Sequence, residues 1–193
     1  MSITKLTTNG VNGSKYDTVS ADNYYMEPIA TTLVGAGGVA SVDFTNIPQG
    51  YKHLQIRWIG QHAGANVNVS LAIQFNGDTG SNYVQHRLYG DGSSAQAVSA
   101  TSTTFIRSDR LNSPTSASSI FGVGIIDILD YANVYKFKTI RSLGGVDSNG
   151  SGFIALDSGL WMNTAAISSI KLYGADPGNL SQYSRFSLFG VKA

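Results

Sequence analysis

VNVSLAIQFNGDTGSNYVQHRL, Val67 to Leu88, is the stretch whose pattern decides the fold. Val67, Val69, Leu71, Ile73 and Phe75 fall on every second residue, with Asn68, Ser70, Ala72 and Gln74 between them. That period predicts a β-strand with one apolar face and one face open to water. The run NGDTGSN then supplies glycines for positive φ and Asn and Asp side chains for capping, and Tyr83–Tyr89 reads as a second strand. A hairpin is therefore expected at the centre of the protein. Burying each of the five apolar side chains stabilises by roughly 1.5–3 kcal/mol, so a second layer has to cover that face.

On either side the chain continues as short apolar runs divided by turn clusters. Residues 29–34 lead into the GAGG turn at 35–38, and Ala40, Val42 and Phe44 alternate into Ile47-Pro48-Gln49-Gly50. Leu54, Ile56 and Trp58 mark one strand face, with Gln55 and Arg57 on the other. The region 91–119 is rich in Ser, Thr and Ala and reads as loop around one weak strand at Phe105-Ile106. IFGVGIIDIL at 120–129 is almost continuously apolar, the pattern of a central strand buried on both faces, and its two glycines argue against a helix. Further strands are predicted from 135 onward, to a last one at 186–191. About ten short strands without an amphipathic helix predict an all-β chain, a jelly-roll-like antiparallel β-sandwich over residues 28–193, with a closed barrel as the alternative.

Residues 1–27 are polar and lack sustained periodicity, and read as an extended N-terminal arm. Tyr16, Tyr24, Tyr25 and Met26 are its exceptions, apolar bodies suited to packing on the domain itself or to docking on a scaffold.

Composition narrows the function. Charged residues make up only 13% of the 193, the net charge is +1, and no basic run is present, so neither nucleic acid nor an anionic membrane is an expected partner. The absence of cysteine excludes disulfides, thiolate metal sites and thiol nucleophiles. MSITKLTTNG lacks the apolar stretch of a signal peptide, and no run of eighteen apolar residues occurs, so a soluble cytosolic product without membrane insertion is expected.

Motifs for chemistry are few. There is no G-x-S-x-G, H-E-x-x-H or P-loop, and Gly35–Gly38 and Gly122–Gly124 lack the third glycine of a dinucleotide fingerprint. His53, His62 and His86 are scattered, and His86, between Val84 and Leu88, reads as a hydrogen-bonded histidine in or near the core. The run 76–82 holds one carboxylate, too few for a calcium site over plain turn chemistry, so no metal or cofactor is expected. Asp127 and Asp130, with Asp91 or Asp157, are candidates for a glycosidase pair, although aspartates at strand ends usually cap turns. Asp78 and Asn82 stand as candidate outward-loop or ligand contacts. Trp161, in Gly159–Asn163, is either a core plug or a further exposed contact.

FTNIPQGYKHLQI (44–56), FNGDTGSNY (75–83), DYANVYKFKTIR (130–141), GLWMNTAAISSIKLY (159–173) and the terminal FSLFGV (186–191), in that order, resemble a family of bacteriophage virion surface proteins found in phages of aquatic bacteria. Phe189 stands where that family commonly has Tyr. The resemblance covers residues 29–193 and implies a tail-fibre-associated or other virion structural component, not an enzyme. The expectation is a homotrimer in the virion, touching other tail or capsid proteins and aiding adsorption to a host cell-surface glycan. A capsid decoration protein is the alternative, and a glycan-degrading enzyme a third.

Overall fold

The structure is a computed structural model that describes residues 25–66, 69–113 and 118–192. These residues form two antiparallel sheets packed face to face, the β-sandwich that the alternating runs predict. Twelve strands follow in chain order among them: β1 (Met26–Leu33), β2 (Ser41–Phe44), β3 (His53–Gly60), β4 (Val69–Phe75), β5 (Tyr83–Gly90) and β6 (Ala95–Thr103), then β7 (Ile106–Leu111), β8 (Gly122–Ile128), β9 (Lys138–Asp147), β10 (Gly152–Trp161), β11 (Ile170–Gly174) and β12 (Arg185–Val191). The larger sheet runs β1-β12-β3-β8-β9-β10-β5-β6, and the smaller runs β2-β11-β4-β7.

The expected central hairpin is instead a corner. β4 lies in the four-stranded sheet and β5 in the eight-stranded one, so the seven residues Asn76–Asn82 carry the chain across the sandwich. Two alternating runs joined by a Gly- and Asn-rich turn look the same whether the strands pair or part, because the local signal is a reversal of direction and not a partner. β4 is also buried along its whole length, Ser70, Ala72 and Gln74 included, and Gln74 Nε2 donates to Thr104 O at 2.9 Å. Its polar face is covered, not wet.

Where apolar alternation is clean the expected faces hold. Leu54, Ile56 and Trp58 point inward with Ile126, Ile128, Phe186 and Leu188, while Arg57 faces out. Gly159 has a packing reason: a Cβ there would stand 2.4 Å from the Ile106 side chain, so its absence lets β7 lie close on β10.

Three further expectations are corrected. The region read as loop around one weak strand holds two strands; β6 was hidden because AQAVSATST is exposed almost throughout and so needs no apolar alternation. β8 is central but buried on one face only, with Val123 and Ile125 turned to solvent. The sheet begins at Met26, so Met26 and Glu27 pair with Val191 and Gly190 instead of belonging to an arm. The Lys192 amide donates to Tyr25 O at 3.0 Å, which places the two ends of the described domain side by side.

Candidate functional site

The corner between β4 and β5 brings together all three residues named as outward contacts, and it turns Trp161 inward. Trp161 is 1% exposed and packs on Tyr83 and Phe75, with ring centroids 6.4 and 5.6 Å away. Its indole N–H donates to Asp78 Oδ2 at 2.7 Å. Asp78 also accepts from Asn82 Nδ2 and from the Gly80 amide, both at 2.9 Å. These bonds, the Trp161 one foremost, hold its carboxyl below the ordinary range. Tyr83 Oη accepts from the Phe75 amide and donates to Asp78 O. Asp78 thus spends its carboxylate on the aromatic plug beneath it, and Asn82 spends its side-chain N–H on Asp78. Trp161 as an exposed contact is overturned: the inward face of β10 runs Phe153, Ala155, Asp157, Gly159, Trp161.

Of the docking residues, Tyr16 and Tyr24 lie outside the described residues. Tyr25 is exposed and Met26 opens β1.

The aspartates considered as a catalytic pair have separate partners. Asp127 accepts from Arg141 Nη2 and Gln55 Nε2, both at 2.9 Å. Asp130 is held by Lys136 and lies 3.8 Å from Lys52 Nζ. Asp91 caps its own turn through the Ser93 and Ser94 amides, which hold it well below the carboxylate range. Asp157 is buried and paired with Arg87. No cluster of three metal-ligating side chains occurs among the described residues.

His86 is exposed, not in the core. The inward residues of β5 are Tyr83, Gln85, Arg87 and Tyr89, so Val84, His86 and Leu88 face out. Their apolar character pointed the wrong way because β5 carries its polar groups on the covered side.

Those polar groups belong to a charged seam between the sheets that the sequence did not announce. Arg87 Nε donates to Asp157 Oδ1 at 2.5 Å, Arg87 Nη2 reaches Ser108 O at 2.7 Å, and Ser142 Oγ donates to Asp157 Oδ2 at 3.3 Å. Asp109, fully buried, accepts from the Arg110 amide at 2.6 Å, and its Oδ2 has no hydrogen-bond partner among the described residues. Burial pushes Asp109 up to about 7 and raises Asp157 as well. The Arg110 guanidinium lies 3.5 Å from the Phe153 ring centroid. The one available signal was RSDR at 107–110, charges set where a strand period would otherwise continue.

Outside this seam the same strands carry the opposite pattern. Across the outer face of the eight-stranded sheet, Ile125, Leu143, Leu156, Leu88 and Ala97 stand in register on five successive strands. Beside them runs a second row, Val123, Gly145, Ile154, Gly90 and Ala95. The six larger side chains are 41–61% exposed. At strand and residue spacings of about 4.8 and 3.3 Å, the two rows cover on the order of 300 Å². The next row is polar: Asp127, Arg141, Ser158, His86 and Ser99. The two rows thus form one continuous apolar field with a polar row along one side, not scattered surface residues.

Comparison of the chain with protein-family models, with curated proteins and with solved structures finds no match.

Proposed function

We propose that the chain is a non-enzymatic structural protein of a bacteriophage virion, a tail fibre or tail-tip component that assembles as a homotrimer and aids adsorption to the host. The observation that carries the assembly part is the pair of apolar rows on the outer sheet face. A field of about 300 Å² is well short of the ~800 Å² that each partner gives to a stable interface. It supplies the dehydrated centre, and the Asp127, Arg141 and His86 row supplies a polar rim. The virion assignment is supported by the ordered motifs at 44–56, 75–83, 130–141, 159–173 and 186–191. In the structure two of them build one corner: Asn76 accepts from the Ser168 amide at 2.8 Å and donates to Ala166 O at 2.8 Å. In this reading residues 1–25 grip the neighbouring virion protein.

Imaging purified particles that carry a labelled copy of this protein tests the position. Label at the tail tip is expected. Label over the head would replace the tail by capsid decoration, and particles without label would remove the virion reading. Release of reducing ends from host polysaccharide by the purified chain would overturn the non-enzymatic part.

A further inference from the structure

The two sheets differ by four strands, and at one side the larger overhangs the smaller. β5 and β6 project past β7, leaving an open cleft of about 610 Å³ between the inner face of that two-stranded wing and the β7 edge. Val98 and Ala100 form its apolar wall, Gln85 and Arg107 its polar one, and Phe105 stands at its mouth. The Arg87–Asp157 pair closes the back, where the two charges neutralise each other.

Arg107 is different. Its side chain is exposed, and its guanidinium makes no hydrogen bond or ion pair among the described residues. Only its backbone N–H is engaged, donating to Gln85 Oε1 at 2.6 Å, which orients the Gln85 side chain and leaves the Gln85 amide N–H groups free among those residues. The guanidinium carbon lies 5.9 Å from the Phe105 ring centroid. Phe105 meets Tyr173 edge to face at 6.1 Å, and Lys171 Nζ lies 5.6 Å from the Tyr173 ring. The cleft therefore opens onto a ladder of cation, ring, ring and cation. Resting on the reading of this chain as a host-adsorption protein, we infer that the cleft binds an acidic saccharide, a uronic acid residue within a glycan chain.

The chemistry matches group by group. A planar carboxylate takes the Arg107 fork through two parallel hydrogen bonds. Ring hydroxyls accept from the Gln85 amide. The C–H face of the pyranose lies on Phe105, and the next residue along the chain reaches Tyr173 and Lys171. The volume is that of an ordinary ligand site. The net charge of the lining, with Arg87 and Asp157 cancelling, is that of Arg107 alone, so a neutral sugar forfeits the strongest contact.

Titration of the purified full chain with a short oligogalacturonate, followed by calorimetry, tests this. Saturable binding is expected, weakened at least about tenfold for the carboxyl-reduced oligosaccharide and for Arg107→Ala, since a hydrogen bond to a charged group is worth that factor or more. Arg107→Lys should recover only part of the affinity. An unchanged melting temperature of Arg107→Ala shows the fold intact, and Gln85→Leu, which keeps the charge, should weaken binding to both oligosaccharides. Equal binding of the charged and neutral oligosaccharides, unaltered binding by Arg107→Ala, or inorganic phosphate competing as well as the oligogalacturonate would each overturn the site. The measurement uses no virions, so binding by a chain absent from particles would sink the virion reading and leave the site standing.

Discussion

The two faces of the eight-stranded sheet invert the usual distribution over the same strands. On the inner face, β5, β9 and β10 join Arg87, Ser142 and Asp157 to one another, and Arg87 and Asp157 lie near enough for their charges to act on the buried Asp109 of β7. On the outer face the same three strands present Leu88, Leu143 and Leu156 to solvent. Covered charge and uncovered aliphatic carbon stand back to back across one layer of backbone. Apolar content alone therefore does not say which side of a strand is inside; the side is settled by which layer happens to lie over it. A buried ion pair contributes little net stability but penalises every register that leaves one partner alone. An exposed aliphatic field contributes nothing until something covers it.

That contrast can be broken by substitution. The largest effect is expected at the corner joining the layers, where Trp161→Ala should cost about 3–5 kcal/mol in chemical denaturation, as loss of a fully buried aromatic does. An unchanged midpoint would mean that Trp161 is not the plug. Next comes the seam. Asp109 has its proton held by burial up to about 7, above its unfolded value, so folding binds a proton, and the stability present below pH 4 is lost as pH rises to 7. At about 1.4 kcal/mol per pH unit the loss is on the order of 4 kcal/mol, and it levels off above pH 7. Asp109→Asn should flatten that slope; a mutant with the same pH profile would move the titration elsewhere. Asp78→Ala, which leaves the Trp161 indole N–H without its acceptor, should cost roughly 1–3 kcal/mol by the same assay.

The smallest effect on stability should come from the outer face, and it sharpens the comparison most. Leu143→Ser with Leu156→Ser should change the stability of the monomer by no more than ~0.5 kcal/mol, yet shift sedimentation from trimer to monomer. A double mutant that stays trimeric would show that the subunits meet elsewhere. One that unfolds would show the face to be part of the fold.

The parts of this arrangement that the sequence disclosed are those where covering and patterning agree. The alternation of Leu54, Ile56 and Trp58 reads correctly because an apolar layer lies over it. The corner was visible as a turn, with Asp78 and Asn82 as its polar residues, but not as a sheet crossing, because Trp161 locks it by stacking on Tyr83 and by a hydrogen bond to Asp78, 83 residues away in the chain. His86 was placed on the wrong face because its neighbours Val84 and Leu88 are apolar in a strand whose covered residues include Arg87. β6 and the cleft it forms were invisible for a related reason: a wing wet on both sides needs no pattern at all.

The adjacency of Tyr25 and Lys192 has a mechanical meaning. Antiparallel rungs lie across the strands, so a pull drawn between those two ends would open β1 from β12 one rung at a time, never loading several together. Force entering through the broad side of the sheet is instead shared among many strands. A domain of this build withstands strain when gripped across its flank and tears easily when hung by its tips.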